Sequence, residues 1–348
     1  MKKRIGFIAL GQAGGNIGQL FEREGYQVLY INTSQEDLDT LKDAKYKHHI
    51  ENGEGCNKDR HKAKQLLIDD YDNIATKVET VFSCDLLYVI FGAGGGTGSG
   101  AAPMLIDLLT DDDKTVGAIV IMPGTDESVK SHINAYEAFS ELISIQGTIS
   151  SFILDNDKGD KLDINKKFVS DFCSFVDIPN KHKSVKGNID KAEIMETLKS
   201  HGMAYIVDSQ EKEEGAAGVI NLLTDNIYAP VEEDKTVKYI AISISGDINV
   251  TDLETAIGTP LDTYVTYNDS STICCLAGLS YPQTRLDAVY KKIEDNKDTV
   301  MKNLAATQET KLKTDVNFLD HLGNNIDVKP SKENKPKSKR DIMSKYLK

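Results

Sequence analysis

The chain reads as an α/β protein. It combines a parallel sheet covered on both faces, a long central helix, a smaller α+β domain with a mixed sheet, a long C-terminal helix and a disordered basic tail. Three observations predict this. Over about the first 150 residues, short apolar runs alternate with helical patterns, as in strand–helix–strand units. At 348 residues the chain is long for one domain, so two are expected. The segment from Lys329 to Lys348 reverses the charge, with eight basic and two acidic side chains in a chain of net charge −13.

The first strand is Ile5 to Leu10, apolar on both faces. Gly11-Gln12-Ala13-Gly14-Gly15-Asn16-Ile17-Gly18 then opens a helix running through Phe21. The order G-x-x-G-G-x-x-G is neither the dinucleotide fingerprint G-x-G-x-x-G nor a Walker loop G-x-x-x-x-G-K-[ST]. Tyr26 to Ile31 is the second strand and ends in Asn32-Thr33, which also suits the N-cap of a helix starting at Gln35. A short strand from Tyr46 to Ile50 leads to Gly53-Glu54-Gly55-Cys56-Asn57-Lys58. A long helix from Lys58 to Val81 follows, with Ala63, Leu66, Leu67, Ile74 and Val78 on one stripe.

Leu86 to Phe91 is a buried strand, and Met104 to Leu109 is helical. Between them stands Gly94-Gly95-Gly96-Thr97-Gly98-Ser99-Gly100, with five glycines and two hydroxyls. Glycine permits positive φ and close approach of a ligand to the backbone. A helix start adds unpaired N–H groups and the positive end of the dipole, so the turn is an anion site suited to phosphates. A flexible linker does not sit between a buried strand and an apolar helix.

Composition sets outer bounds. A hydrophobic content of 40% supports a sizeable core, and the net −13 argues against non-specific nucleic-acid binding by the body. The five cysteines form no C-x-x-C pair, which predicts a reducing cytoplasm, no disulfide framework and no zinc site. No apolar run approaches about 18 residues, so no membrane span is expected. Lys2-Lys3-Arg4 leads into a strand rather than a signal-peptide core.

Gly94 to Gly100 resembles, nearly letter for letter, the signature of the tubulin/FtsZ family of GTPases. Gly11 to Gly18 is similar to that family's first nucleotide loop. The resemblance implies GTP or GDP with Mg²⁺ as cofactors and no protein-built metal site. It places phosphates on Gly11, Gln12, Gly14, Gly15, Asn16 and on Gly94, Gly95, Gly96, Thr97 and Gly98. Asn32 and Thr33 stand where the family has a second nucleotide loop. Asn57 is the one residue carried over in the loosely matched γ-phosphate-sensing loop.

After the strand Thr115 to Met122 comes Pro123-Gly124-Thr125-Asp126-Glu127-Ser128. Glu127 stands where the family binds the ribose; Asp126 is the alternative, and a first-turn acid complementing a helix dipole is the plainer reading. After the strand Ser151 to Leu154, Asn156 and Asn165 match the family's guanine-reading positions. An amide offers both donors and acceptors, as guanine requires, although each Asn alone also suits a turn or cap. The helix Ile164 to Val176 would join the two domains. Beyond it, Asn188-Ile189-Asp190-Lys191-Ala192-Glu193 resembles the family's catalytic loop, with Asp190 and Glu193 as catalytic residues. Read alone, the same residues are a capping box.

Met203 to Val207, a helix from Glu213 to Leu223, Val237 to Ile244, Thr263 to Tyr267 and Thr272 to Leu279 build the second domain, with a solvated loop at 211–215. A helix from Arg285 to about Glu309 buries Leu286, Val289, Ile293, Val300 and Leu304. The implied division is 1–160 for GTP binding, 161–177 for the central helix, 178–280 for the catalytic-loop domain, 281–312 for the C-terminal helix and 313–348 for the tail. The basic tail looks most like that of the TubZ branch, the plasmid and phage partition tubulins. That implies head-to-tail self-assembly into filaments and a DNA-bound adaptor on Lys329 to Lys348. Ile342 to Leu347 could form a short docking turn, and a plain solubilising tail is the simpler reading. The alternatives are a cell-division filament of the FtsZ type, a nucleotide-bound structural filament without turnover, and a dinucleotide-binding oxidoreductase. Asn32-Thr33, standing where the last would need an acid, counts against it.

Overall fold

The continuous apolar runs of the first half form strands with no solvent-facing side. The computed structural model describes residues 1–209, 215–308 and 339–347. In chain order the first half is β1 (Ile5–Leu10), α1 (Gly11–Arg23), β2 (Gln27–Asn32), α2 (Gln35–Thr40), β3 (Tyr46–His49), α3 (Arg60–Val81), β4 (Leu86–Gly92), α4 (Thr97–Asp111), β5 (Val116–Met122), α5 (Val129–Ile143), β6 (Ser150–Asp155) and α6 (Lys161–Val176). The second half is α7 (Ile178–Lys181), α8 (Lys191–Leu198), β7 (Gly202–Ser209), α9 (Gly215–Thr224), β8 (Tyr239–Ile244), α10 (Val250–Ile257), β9 (Asp262–Tyr267), β10 (Thr272–Leu279), α11 (Gln283–Gln308) and α12 (Lys339–Tyr346).

The strands form one sheet in the order β3-β2-β1-β4-β5-β6-β7-β10-β8-β9. Strands β1 to β6 pair in parallel, whereas β10 runs antiparallel to both β7 and β8. The predicted mixed sheet is thus a continuation of the parallel one. The two meet at β6 and β7 through only two residue pairs, Ser150 with Gly202 and Ser151 with Met203. Helix α6 spans this seam, with Phe168 and Phe172 in an aromatic cluster that includes Phe7, Phe21, Tyr26 and Phe152.

Several boundaries differ from expectation. Helix α3 begins at Arg60 because Asp59 caps it, its side chain accepting from Lys62 N. Helix α4 begins inside the glycine motif and carries Pro103 in its interior. A proline there deprives the carbonyl four residues back, that of Ser99, of its helical donor. The buried Arg60 guanidinium replaces it, donating to Ser99 O from Nε at 3.3 Å and from Nη2 at 3.0 Å. Helices α7 and α10 have no counterpart in the sequence reading; α10 starts on an Asn249 cap. The expected loop at 211–215 falls almost wholly outside the described residues.

The end of the tail takes the docking alternative. Residues 309–338 lie outside the described residues, and Lys339–Tyr346 form a helix on the body, as the docking turn expected at Ile342 to Leu347 would, and not a disordered end. Ile342 and Tyr346 are buried, the Tyr346 hydroxyl donates to Asp107 at 3.2 Å, and Lys345 and Lys339 pair with Asp107 and Asp112. Two apolar side chains four apart, with basic ones around them, suit an acidic patch on α4.

Burial pushes the Asp171 carboxyl in α6 up from 3.8 to about 7, although the Lys167 ammonium lies 2.6 Å away and offsets part of the effect. The folded state therefore binds this proton more tightly than the unfolded chain. The resulting stabilisation is complete below the ordinary carboxylate range and is lost as pH rises through about 7. Thermal melts from pH 5 to 8 should show wild-type stability falling toward pH 8, with a shallower fall for Asp171→Asn. Parallel profiles would show that Asp171 is ionised in the folded protein.

Candidate functional site

Two helices of the parallel half start without side-chain caps. Helices α2, α3, α5, α6, α8 and α10 are capped by Ser34, Asp59, Ser128, Asp160, Asp190 and Asn249. Helices α1 and α4 have neither a capping bond nor an acid in the first turn. Their starts lie together at the carboxyl ends of the adjacent strands β1 and β4, where a Cβ on Gly11 would sit 3.4 Å from Gly98 N. Gly11 turns the chain with φ +71°, and a Cβ on Gly14 would come within 2.3 Å of Ile90 O, so only glycine lets α1 start this close to β4. First-turn N–H groups and the positive ends of both dipoles thus converge.

A small hollow beside this junction is lined by Gly11, Gln12, Gly15, Asn16, Asn32 and Asp37. The Thr97 and Thr33 hydroxyls share a hydrogen bond of 2.7 Å, joining the second loop to the glycine motif. Asn32 is not the cap of α2. Its amide donates to Asp37, and its Oδ1 accepts from Ser34 N, while Ser34 caps the helix. The donors fit a polyphosphate. Among the described residues there is no cluster of three or more His, Cys, Asp and Glu that could hold a metal.

The loop 53–58 closes over Gly96, where a Cβ would sit 2.9 Å from Lys58 N. Asn57 and Lys58 are consecutive non-glycine residues at positive φ, +44° and +60°, a strained pair. Asn57 is exposed, and its carbonyl accepts from Lys130. Lys58 Nζ donates to Ser131 at 2.6 Å and Ser128 at 2.9 Å, and Asn134 donates to Gly95 O at 2.7 Å and Lys58 O at 3.1 Å. Sequence reasoning carried over only Asn57 from the stretch Gly53 to Lys58 and so passed over Lys58, and it missed Asn134 and Asp37, which lie outside the glycine stretches; the strained Asn57-Lys58 turn has no composition signal.

Glu127 and Asn156 meet across the ends of β5 and β6. Glu127 Oε1 accepts from Asn156 Nδ2 at 3.3 Å and Lys161 Nζ at 2.9 Å. Burial opposes ionisation of Glu127, but the Lys161 ammonium, Gly124 N and Asn156 together hold its carboxyl below the usual range. Asp126 is exposed, and α5 has no acid in its first turn, so Glu127 is not a dipole partner of that helix. Asn165 is buried in α6, whose cap is Asp160, which leaves Asn165 free of a capping role.

Asp190 and Glu193 form the capping box in full. Asp190 Oδ1 accepts from Ala192 N at 2.7 Å and Glu193 N at 3.0 Å, and Glu193 Oε2 accepts from Asp190 N at 2.7 Å. The Asp190 side chain is nevertheless exposed. The loop that leads to Asp190 and the helix that follows it rest on the far edge of the sheet: Gly187 O accepts from Thr266 Oγ1 of β9 at 3.0 Å, and Glu196 Oε1 of α8 accepts from the Tyr239 hydroxyl of β8 at 2.7 Å. Four strands, β5, β6, β7 and β10, lie between β8 and β4, and the glycine loops follow β1 and β4.

Gly96→Ala should displace the loop 56–58 while leaving the buried strands intact. Titration with a fluorescent GTP analogue should show at least about a tenfold loss of affinity, equivalent to about 1.4 kcal/mol, with little change in melting temperature. Unchanged affinity would separate loop 53–58 from ligand binding.

Residues 4–161 match the model of the Tubulin/FtsZ family, GTPase domain. The chain is 31% identical over 304 residues to the tubulin-like protein TubZ of Clostridium botulinum C phage, covering 85% of this chain and 84% of that protein. It is similar to the crystal structure of Clostridium botulinum phage c-st TubZ, with TM-score 0.78, 29% identity, 86% of this chain and all of that chain covered. It also shares the fold of Bacillus thuringiensis serovar israelensis TubZ, solved as a GTPγS-form protofilament, with TM-score 0.75, 16% identity and 88% and 94% of the two chains covered. With the paired glycine turns at the carboxyl ends of β1 and β4, these similarities show that the chain belongs to the tubulin/FtsZ family.

Proposed function

We propose that this chain is a cytoplasmic GTPase that polymerises head-to-tail, each nucleotide being hydrolysed with the help of the Asp190 loop of the adjoining copy. The observation that carries the reading is that the loop leading to Asp190 is anchored on β9 and its helix on β8, with four strands between β8 and β4, whereas the glycine loops follow β1 and β4. A site divided in this way is incomplete in one copy, and a head-to-tail contact that does not close builds a filament. Val185, wholly exposed on the loop that leads to Asp190, suits a surface that a second copy covers.

In this reading the N–H groups of Gly14, Gly15, Asn16 and Gly94 to Gly98 hold the phosphates, and Thr97 adds its hydroxyl. Mg²⁺ would offset phosphate charge there and, given its reluctance to dehydrate, would need no dedicated protein ligands. Asn156 and Asn165 answer the O6 acceptor and the N1–H and N2–H donors of guanine, and Glu127 takes the ribose hydroxyls. Asp190 and Glu193 position a water whose oxygen attacks the terminal phosphorus. The bridging P–O bond breaks, leaving GDP and phosphate.

Turnover per subunit should rise with protein concentration and be negligible below the assembly threshold, as read by phosphate release beside pelleting. Asp190→Ala should bind GTP and polymerise, lose turnover and give persistent filaments. If Asp190 served α8 alone, the variant would lose about 1 kcal/mol of helix stability and keep nearly normal turnover. Mixing Asp190→Ala with a Gly96 and Thr97 double variant that cannot hold nucleotide should restore part of the activity. Normal hydrolysis by Asp190→Ala alone would sink the shared site.

We further propose that the basic segment recruits a DNA-bound adaptor and so couples the filament to plasmid or phage DNA. Its charge reversal motivates this. Removing residues 329–348 should leave GTP hydrolysis and assembly largely intact and abolish adaptor binding. That binding should weaken steeply with salt. Undiminished adaptor binding by the truncated chain would refute the assignment.

A further inference from the structure

The loops that carry Glu127 and Asn156 are joined by a side chain from outside the parallel half. Arg285, in the first turn of α11, is 7% exposed. Its Nε donates to Asp155 Oδ2 at 2.7 Å, and its Nη2 donates to Asp155 Oδ1 at 3.0 Å, Pro123 O at 2.9 Å and Asp157 Oδ2 at 2.9 Å. Asp157 in turn accepts through Oδ1 from Thr125 N at 2.6 Å, and Asp155 Oδ1 accepts from Asp157 N at 3.1 Å. One guanidinium therefore ties the end of β5 to the end of β6, and both segments to α11. A cation in the first turn of a helix faces the positive end of its dipole, so the helix itself gives no reason for an arginine here. The planar fork matches the two Asp155 oxygens through Nε and Nη2, and the second Nη2 proton is shared between Pro123 O and Asp157 Oδ2, which a lysine cannot reproduce.

We infer that Arg285 is a positioning residue for base recognition: it fixes the 123–128 and 155–158 loops so that Asn156 and Glu127 meet guanine and ribose in register. The inference rests on the proposed roles of those two residues. It assigns to α11, in the second half of the chain, control over which base the first half accepts. Arg285 donates to no residue of the α1 or α4 start, and the tie meets the phosphate cradle only where Gly94 packs against Pro123.

The test measures GTP and ATP affinities of the full chain by competition titration. Two variants are compared with wild type, and circular dichroism melts follow the fold. Arg285→Lys keeps the charge and loses the fork. Arg285→Met combined with Asp155→Asn removes both buried charges, so no unpaired carboxylate is left in the core. Wild type should prefer GTP at least about tenfold, the discrimination expected when buried amides are mispaired by the wrong base. Both variants should bring the ratio to within about threefold of unity by weakening GTP, with ATP affinity changed less than about threefold. A wild-type ratio near one would overturn the guanine reading and the inference with it. A wild-type ratio above about ten that persists in variants with lowered melting temperature would make Arg285 a structural ion pair only, overturning the inference while leaving the guanine reading intact.

Discussion

The constraint on which the site depends is the meeting of two uncapped helix starts. Every other helix of the parallel half satisfies its first N–H groups with its own serine or aspartate. Helices α1 and α4 do not, and they converge where β1 and β4 end side by side. Each start carries about half a positive charge, so two at one place form an anion site before any lysine or arginine is involved. The close approach requires glycine, since a Cβ at Gly14 or Gly96 would overlap backbone atoms of β4 or of the loop 53–58.

The remainder of the parallel half braces this junction. Arg60 fills the gap that Pro103 leaves in α4, and it pairs with Glu137 and Glu141 of α5, so that α3, α4 and α5 are fixed to one another. Asn134 of α5 bonds both Gly95 O and Lys58 O, placing the glycine motif and the strained turn under one amide. Buried polar groups of this kind are costly unless fully paired, which gives the loops a defined geometry. Arg285 has the same role at the other side of the site, where the loops after β5 and β6 are held by a guanidinium from α11.

The Asp190 loop shows how one set of residues can serve two purposes. Its capping box is complete, so local helix chemistry accounts for Asp190 and Glu193 without reference to a ligand. Asp190 is exposed, on a loop anchored to β9 and so apart from the glycine loops after β1 and β4, which a capping role does not require. A capping carboxylate still has lone pairs facing solvent, so the two roles are compatible.

The sequence by itself determined the strand–helix alternation of the first half, both glycine turns and the capping box of Asp190 and Glu193. These are local features, in which hydrophobic period, glycine spacing and cap residues leave a direct trace. Tertiary structure alone decided that the mixed sheet continues the parallel one, through a seam of two residue pairs at β6 and β7 that carries no periodic signal. It decided that the chain's last helix lies on α4, because Ile342 and Tyr346 find an apolar site flanked by Asp107 and Asp112 more than two hundred residues away in sequence. It also decided the partners of Lys58, Asn134 and Arg285. Each acts through a partner remote in the chain, and the energy of such a contact depends on where folding brings the partner, which no spacing along the sequence records.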